Sequence, residues 1–355
     1  MNEGIPFKIR FLNKLGIRAK KVDQTCMEAK EVNQNGMKVN TLYQIGMNSD
    51  AVNQTGMEVK KVYQTGMKVK ELDQTGMKVK KLDQIGMKSD LVIQKNMKVK
   101  KLNQIGMVAN EIDQTGMESN LVYQIGMESN EFIQKNMKVN TLYQNDMEVY
   151  RLYQTSMESV VVDQRYIEAN EVDQTNMKVN TLYQIDMKVK ELDQTSMNSD
   201  VVIQTNMKAK KVIQTDMESD LVDQTCMEAK EVDQVGMEVK KLYQTGMEVK
   251  KLNQIGMNSD VVIQTNMKAK KVDQSFVEIG SLYTGEEASF GKWYLEGAEI
   301  KEWEGDLLYF TEIHTDENTK IPEELRNAID NQEFMLDAQK YMEYLIRRKL
   351  FKRAN

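Results

Sequence analysis

The sequence is rich in methionine, whose thioether sulfur is a ligand that soft metals such as copper(I) accept. The chain has 355 residues and 27 of them are methionine. Most of these methionines recur at intervals of ten residues in segments that also contain valine and leucine. That pattern is typical of a flexible side chain that fills an apolar core. We therefore interpret the methionines as core residues and predict no metal site.

Other groups that could do catalytic chemistry are few or scattered. His314 is the only histidine, and Cys26 and Cys226 lie 200 residues apart, so no metal-ligand spacing and no disulfide framework can be read. There is no phosphate-binding glycine loop and no nucleophile motif. Aspartates at equivalent positions could line up, but they stand among lysine and asparagine: Asp50, Asp90, Asp200 and Asp260. The sequence predicts a protein that is not an enzyme and has no cofactor.

A ten-residue repeat organises the chain. It runs without insertion from Phe7 to Glu286, which gives 28 decads whose positions we number 1 to 10 from the methionine. Position 1 is apolar, position 3 is mostly valine, alanine or serine, and position 6 is mostly leucine or valine. Position 8 is glutamine in every decad from Gln24 to Gln274. Lysine, glutamate, aspartate and asparagine concentrate at positions 2, 4 and 5, and position 10 is commonly glycine, asparagine, serine or aspartate.

The offsets within the decad favour strands over helices. Positions 1 and 3, and positions 6 and 8, are two residues apart, which is the alternation of a strand with one buried face. A helix would need a spacing of about 3.6 residues, and a strict ten-residue repeat drifts off any helical stripe. Positions 9 and 10 predict a turn because glycine and asparagine tolerate a positive φ, and positions 4 and 5 predict a second corner. The fold class is therefore all-β, a β-solenoid built from decapeptide repeats.

The number of decads in one coil of the solenoid is left open by spacing alone. Two sheets about 10 Å apart, with coils that rise about 4.8 Å, leave a slice that four inward side chains of one decad would fill. This packing estimate favours a two-sided coil of ten residues. A four-sided coil of twenty residues, made from two decads, is the alternative.

An apolar residue at every fifth position, as in Met67, Leu72, Met77 and Leu82, resembles the pentapeptide-repeat proteins. In those proteins a small residue stands two positions before the large central one, whereas here the small residue follows the methionine by two positions. The resemblance covers the repeat array and implies a four-sided, right-handed β-helix. Since some proteins of that kind mimic DNA, it also implies an alternative function as an inhibitor that imitates an extended partner.

The glutamine column predicts an amide ladder inside the solenoid. Positions 5 and 7 differ freely between decads, but position 8 does not, and stacked glutamines can hydrogen-bond from coil to coil. A glutamine array that grips a ligand would need the side chains to face outward, and we favour the ladder. The residues assigned to this interior are Gln54, Gln64, Gln74, Gln84, Met57, Met67, Met77, Leu72 and Leu82.

The outward positions carry charges of both signs, so the sequence predicts solvated faces of mixed charge. Thr195, Thr205, Thr215 and Thr225 at position 9 suggest a regular hydroxyl array of the kind that binds ice, although Ile45 and Lys95 interrupt it. Tyrosine favours interfaces. The candidates for partner contacts are the tyrosines at position 7: Tyr43, Tyr63, Tyr123, Tyr143 and Tyr153.

The two ends of the chain depart from the repeat. Residues 1–6 form a short N-terminal lead, and residues 7–286 form the solenoid. Residues 287–355 are predicted to be a small α+β cap, with short strands or a hairpin at about 291–313 and a helix at about 322–351. Trp293 and Phe290 would cover the last coil, because the end of a solenoid exposes unpaired strands.

Composition narrows the function. The net charge of −6 lacks the basic excess of a nucleic-acid binder, and no apolar stretch is long enough to span a bilayer. No secretory signal is readable, so a cytoplasmic location is expected. The sequence predicts a non-catalytic structural or interaction protein that meets another protein, or another copy of itself, through the repeats or residues 287–355. A partner-mimicking inhibitor and an ice or crystal binder are the alternatives.

Overall fold

The computed structural model describes residues 7–285, 288–305 and 309–331, and their side chains from residue 16 onward except at residue 309. The chain divides into two compact units, Met1–Ile213 and Gln214–Asn355. The first unit contains β1 (Phe7–Leu15), β2 (Arg18–Thr25), β3 (Met27–Asn35), β4 (Lys38–Ile45), β5 (Asn48–Thr55), β6 (Glu58–Thr65), β7 (Lys68–Thr75), β8 (Lys78–Ile85), β9 (Lys88–Lys95), β10 (Lys98–Ile105), β11 (Val108–Thr115), β12 (Glu118–Ile125), β13 (Glu128–Lys135), β14 (Lys138–Thr155), β15 (Glu158–Thr175), β16 (Lys178–Ile185), β17 (Lys188–Thr195) and β18 (Asn198–Thr205).

The boundary between the units falls within β19 (Lys208–Thr215). The second unit contains β20 (Glu218–Thr225), β21 (Glu228–Val235), β22 (Glu238–Thr245), β23 (Glu248–Ile255), β24 (Asn258–Thr265), β25 (Lys268–Asp273), β26 (Glu278–Thr284), β27 (Ser289–Tyr294), β28 (Glu299–Gly305) and β29 (Tyr309–His314). A helix follows over residues 323–331. The predicted all-β solenoid of decapeptide repeats is confirmed.

Most decads form one strand with a bend inside it, and β14 and β15 each run through two decads. In β10, positions 3, 6 and 8 are buried, while the neighbouring residues point outward. Positions 4 and 5 both face outward, so the alternation changes phase there, and Lys100 at position 4 takes no part in the strand pairing on either side. The predicted corner at positions 4 and 5 is therefore a bend at one residue. It separates a short side, positions 1–3, from a long side, positions 5–9.

The strands pair in parallel with the strand two decads away, so one coil contains twenty residues. Val99 lies beside Val79, and Leu102 lies beside Leu82. The ten-residue coil favoured by the packing estimate is wrong, and the four-sided coil implied by the pentapeptide-repeat resemblance is observed. The physical reason is that each decad has only two corners, which carry the chain through half a circuit. Two decads are needed before a strand returns above its starting point.

Position 10 makes the sharper corner. Every decad from Gly16 to Phe276 has a positive φ at this position, for example 62° at Gly36 and 52° at Asn96. This left-handed conformation is open to glycine and, among other residues, is best tolerated by asparagine and aspartate. The predicted turn is confirmed. Cys26 and Cys226 also occupy this corner, with exposed thiols.

The strands after Gly285 stack on the repeat coils in parallel and do not form a hairpin. β27 pairs with β25 and β29 pairs with β27, with Phe290 beside Ala269 and Trp293 beside Val272. The two aromatic residues thus occupy the inward positions 3 and 6 although the decad consensus has ended, and both are buried. Their rings pack edge to face with centroids 5.6 Å apart.

The C-terminal helix begins after Pro322, and its described part buries Leu325 and Ile329. Pro322 precedes the first turn and its carbonyl accepts a hydrogen bond from the Arg326 N–H at 3.1 Å, and the acids Glu323 and Glu324 suit the N-terminus of a helix. The rest of the helix predicted to residue 351, and the lead over residues 1–6, lie outside the described residues. No helix in the described ranges is long and apolar enough to cross a membrane.

Asp316 fixes the loop between β29 and the helix. It accepts hydrogen bonds from Thr319 Oγ1 at 2.6 Å and from the backbone N–H of Gly297 at 2.8 Å. Because these bonds, led by the one from Thr319, favour the ionised carboxylate, the pKa of Asp316 falls from 3.8 to about 2.

We predict that this loop is held above pH 3.8 and loosens as the pH falls towards 2. A lowered pKa in the folded state means that the stabilisation is complete above the unfolded value and is lost on protonation. Hydrogen exchange at the Gly297 amide, normalised to intrinsic rates, should report the loss. Asp316→Ala should raise this exchange at neutral pH, whereas the neighbouring exposed Glu317→Ala should not. Equal exchange in the two variants would remove the role assigned to Asp316.

We also predict that position 10 selects residues by backbone conformation. Gly56 has φ 60° and open space where a β-carbon would lie, so only the backbone limits substitution. Gly56→Val should cost about 1–3 kcal/mol because a β-branched residue is strained at positive φ. Gly56→Asn, the residue found at positions 96, 136 and 176, should cost less. Urea-unfolding midpoints followed by circular dichroism test the order, and equal midpoints would contradict it.

Candidate interaction faces and the interior ladder

The glutamines at position 8 form a hydrogen-bonded ladder in the interior. Gln104 Nε2 donates to Gln84 Oε1 at 2.9 Å and to Gln94 Oε1 at 3.0 Å. Gln104 Oε1 accepts from Gln114 Nε2 at 2.8 Å and from Gln124 Nε2 at 2.9 Å. One donated bond and one accepted bond therefore join Gln104 to the neighbouring coils on its own side of the interior. The other two bonds cross the interior to the opposite decads. Both amide hydrogens and both carbonyl lone pairs are used.

This double bonding explains why no other residue replaces glutamine. A glutamate would bring no hydrogen to donate when ionised, and an asparagine is one methylene shorter. The predicted ladder is observed, with Gln54, Gln64, Gln74 and Gln84 fully buried. Its bonds across the interior were missed, because they exist only when two decads share a coil. The predicted apolar partners are also fully buried: Met57, Met67, Met77, Leu72 and Leu82.

The ladder has a direction, since every donor points towards the N-terminus. A directed ladder must start with an unused donor and end with an unused acceptor. In the first unit Gln24 Nε2 has no partner among the described residues, and in the second unit the same holds for Gln264 Oε1. The last repeat glutamine, Gln274, accepts from Trp293 Nε1 at 2.8 Å. The indole N–H thus replaces the missing amide above it, which is how Trp293 covers the end of the ladder.

The outward residues of the long sides form two chemically different faces in the first unit. Alternate decads share a face because the coil contains two of them. The acidic face consists of the outward residues of positions 5, 7 and 9 in the decads that begin at residues 27, 47, 67 and every twentieth residue to 187. Its carboxylates are Glu31, Glu71, Asp73, Glu111, Asp113, Glu131, Glu171, Asp173, Glu191 and Asp193.

Carboxylates on the acidic face are stacked and held in place. Glu171 lies beside Glu191, and Asp173 lies beside Asp193. Arg151 bridges two coils, with ion pairs to Glu131 at 3.1 Å and to Glu171 at 3.3 Å. The aspartates accept a hydrogen bond from the threonine two residues on, as in Thr195 to Asp193 at 2.7 Å. Basic residues are fewer on this face, at Lys95, Lys135 and Arg151.

The tyrosine face is formed by the same outward positions in the decads that begin at residues 17, 37, 57 and every twentieth residue to 197. Four of the five predicted contact tyrosines lie here, in stacked pairs: Tyr43 with Tyr63 at 5.2 Å, and Tyr123 with Tyr143 at 5.0 Å between ring centroids. The fifth, Tyr153, lies on the acidic face. Burial and nearby carboxylates, led by Glu171, raise the pKa of Tyr153.

Lysine and isoleucine complete the tyrosine face. Lys21, Lys81 and Lys101 lie over tyrosine rings at 4.9, 5.5 and 5.1 Å from the centroids, within the range of cation–π attraction. Ile45, Ile85 and Ile105 at position 9 are 38–39% exposed. Sequence reasoning missed this face and Tyr183 within it, because the residues were compared at intervals of ten and not of twenty. The signal was present in the sequence.

Three aspartates at position 7 also lie on the tyrosine face, and each is paired with a basic residue two positions away. Asp23 pairs with Lys21 at 2.9 Å, and Asp83 pairs with Lys81 at 2.6 Å. Asp163 pairs with Arg165 at 2.7 Å. These carboxylates are neutralised within the face, so they do not make it acidic.

The threonines proposed as one array do not stack on each other in steps of ten. Within the first unit Thr155, Thr175 and Thr195 are neighbours, and within the second Thr225, Thr245 and Thr265 are neighbours. Thr245 and Thr265 share a hydrogen bond of 3.2 Å. Threonines twenty residues apart therefore share an array, whereas those ten residues apart do not.

A shallow depression of about 690 Å³ lies on a short side of the first unit. Its lining includes the glutamates Glu128, Glu148 and Glu168 at position 2 of successive coils, and the exposed ring of Tyr150. Tyr166, also exposed, stands at the corner on the other edge of the same side. Glu168 is ion-paired with Lys188.

Asp50 and His314, two of the residues that could do catalytic chemistry, each have a side-chain partner. Asp50, at the position 4 corner, is paired with Lys70 at 2.7 Å, which lowers the pKa of Asp50. His314 stacks on Tyr294 at 4.4 Å between ring centroids, and its Nε2 lies 2.8 Å from Glu312 Oε1. Among the described residues no three His, Cys, Asp or Glu side chains form a metal-binding group.

The fold and these faces place the chain in the class of β-solenoid repeat proteins, with an interior glutamine ladder and two unlike long faces. No family model, no curated protein and no solved structure matches it.

We predict that one missing amide in the ladder is costly. Gln104→Leu would leave one N–H of Gln114 and one N–H of Gln124 without an acceptor in a buried site, at about 1–3 kcal/mol for each. Leu102→Met, a volume-conserving change in the same decad, should cost less than about 1.5 kcal/mol. Chemical denaturation of the two variants beside the parent chain measures the difference. A Gln104→Leu midpoint equal to that of Leu102→Met would show that the ladder adds no stability.

Proposed function

We propose that the protein is a non-catalytic structural scaffold that presents repetitive faces to a macromolecular partner. The observation that carries the proposal is the excess of carboxylates on one long face of a regular coil and the stacked tyrosines, lysines and exposed isoleucines on the other. Each face repeats its groups at the spacing of the coil, about 4.8 Å. Side chains on such a frame lose little further freedom on binding, because the ladder already fixes the backbone beneath them.

The absence of catalysis is part of this proposal and is supported by how the charges are used. An active site needs titratable groups that converge in a recess. The carboxylates on the long sides are spread along a flat face, and several are already engaged by threonine or arginine, such as Asp193 and Glu171. Their arrangement suits the recognition of an extended surface.

The acidic face also bears on the alternative in which the chain imitates a polyanion. A mimic of DNA needs a sustained stripe of negative charge. Here Leu91, Ile93 and Lys95 occupy one whole coil of the face, and Arg151 occupies position 5 of another. The tyrosine face has no part in such mimicry, so a scaffold that uses both faces accounts for more of the surface.

We predict that a partner is captured through the tyrosine face. The amount of partner that the immobilised full chain retains would be compared with the amount retained by one fourfold variant: Tyr43→Asn, Tyr63→Asn, Tyr123→Asn and Tyr143→Asn. Asparagine is found at position 7 in other decads, for example Asn33 and Asn53, so the fold should tolerate it. Loss of the aromatic contact area should reduce the bound partner severalfold, because tyrosines are frequent binding hot spots.

The matched control is Tyr150→Asn with Tyr166→Asn, which removes two exposed tyrosines from a short side and its corner. Asparagine is also native at those positions, as in Asn110 and Asn96. Cross-linking followed by mass spectrometry identifies what is bound and where. Retention of the same proteins by the parent chain and the face variant would contradict the proposal, as would substrate turnover by the purified chain.

A further inference from the structure

We propose that the macromolecular partner is a second copy of this chain, with the acidic face of one copy bound side by side on the tyrosine face of the next. This inference rests on the scaffold function and names its partner. The two faces belong to the same unit, lie on opposite sides of the same coil and carry complementary groups. The inference concerns the first unit only.

Charge complementarity is the first argument. On the tyrosine face Lys61, Lys81 and Lys101 are neighbours on three successive coils. Lys81 is paired with Asp83 at 2.6 Å, whereas Lys61 has no ion pair in the described part of the chain. On the acidic face Glu111 lies beside Glu131 and Glu191 lies beside Glu171. Arg151 bridges Glu131 and Glu171, whereas Glu111 and Glu191 have no ion pair among the described residues. Like charges directly opposite on adjacent strands are destabilising, and a facing array of the opposite sign relieves these two glutamates and the lysines at once.

Matched periodicity is the second argument. Both faces repeat once per coil, so the charged groups of two copies share one spacing of about 4.8 Å along the solenoid. A contact made at one coil is then repeated at the next without further adjustment. An unrelated globular partner has no such period, whereas a second copy has it by construction.

Exposed apolar residues on both faces add contact area to the proposed interface. Ile85 lies beside Ile105, and Ile105 beside Ile125, which makes a stripe along the tyrosine face. The acidic face has its own apolar coil at Leu91 and Ile93, both only half-buried. Burial of apolar and aromatic side chains contributes affinity in protein interfaces. Complementary charges determine which two faces bind each other.

Repeated segments in the first unit preserve the assignment of residues to faces. Lys-Val-Asn-Thr-Leu-Tyr-Gln begins at Lys38, Lys138 and Lys178, and all three copies lie on the tyrosine face. Lys-Val-Lys-Glu-Leu-Asp-Gln-Thr begins at Lys68 and Lys188, both on the acidic face. The separations are multiples of twenty residues. Copies shifted by a single decad would exchange the faces.

A segment that does change faces differs at the outward positions. Asn48–Thr55 lies on the acidic face and Asn198–Thr205 on the tyrosine face, and they differ only at positions 5 and 7. The acidic-face copy has Ala51 and Asn53, whereas the tyrosine-face copy has Val201 and Ile203. The inward residues are the same, so the difference is confined to the surfaces that the inference assigns to contact.

Because the two faces are different and opposite, the contact is heterologous and does not close on itself. A copy bound through one face still presents the other, so assembly should continue with rising concentration. Sedimentation velocity of the purified full chain at low salt should show a weight-average sedimentation coefficient that rises with concentration. Salt at about 1 M should reduce the sedimentation coefficient, because the salt screens exposed charges.

The charge variants test each face with residue types that are native to the position. Lys61→Glu with Lys101→Glu reverses the tyrosine face, and Glu111→Lys with Glu191→Lys reverses the acidic face. Neither Glu111 nor Glu191 has an ion pair within the described residues, so replacing these two glutamates by lysine breaks no ion pair there. The self-association of each variant alone should be at least roughly tenfold weaker than that of the parent chain. An equimolar mixture should recover association, because the native acidic face of one variant meets the native tyrosine face of the other.

The matched control is Lys68→Glu with Lys88→Glu, which makes the same charge change on a short side and should associate like the parent. Circular dichroism confirms folding, and Lys61→Thr with Lys101→Thr provides a milder second variant, since threonine is native there at Thr41 and Thr141. A parent chain that stays monomeric at all concentrations overturns the inference, as does association unchanged in both reversed variants. A monomeric chain that still retains another protein through the tyrosine face would leave the scaffold function standing and remove self-association.

Discussion

A decad of this chain turns through half a circuit, and the rest of the structure depends on that constraint. Because position 4 bends the strand and position 10 reverses it in the left-handed conformation, a strand meets its neighbour only after twenty residues. Backbone pairing, the stacking of the core and the grouping of surface residues all follow this period. The repeat in the sequence is ten residues long, but the repeat of the structure is twenty.

The glutamine ladder shows how the constraint acts on the interior. Two decads in one coil bring two glutamines to the same level, and each must satisfy four hydrogen-bonding sites away from water. The arrangement does so by bonding along its own side and across the interior, as at Gln104. A buried amide with unpaired groups costs about 1–3 kcal/mol for each group, so a single substitution damages several neighbours. This cost explains why position 8 is uniform while positions 5 and 7 vary.

Much of the fold follows from local pattern, and the features that do not are those set by the coil. The alternation at positions 1, 3, 6 and 8 predicts the strands, and glycine or asparagine at position 10 predicts the left-handed corner. Coil length could not be predicted this way, because an inward residue such as Leu82 has the same neighbours in sequence whether Leu72 or Leu102 lies beside it. The packing estimate favoured the wrong coil, since side chains of one decad or of two can fill the corresponding slice. Short strands after Gly285 were predicted, but their parallel stacking on the repeat coils was missed for a related reason: Phe290 and Trp293 keep the inward positions after the consensus is lost.

The twenty-residue period also determines which surface residues share a face. Read at intervals of ten, lysine, glutamate, tyrosine and isoleucine alternate and cancel, and the faces look mixed. Read at intervals of twenty, most of these residues separate, with Glu71 and Asp73 on one side and Lys61 and Tyr63 on the other. The core imposes no such separation, because both decads bury the same methionine, valine or leucine, and glutamine. Two faces that differ on top of one uniform core are the arrangement that the proposed contact between unlike faces needs.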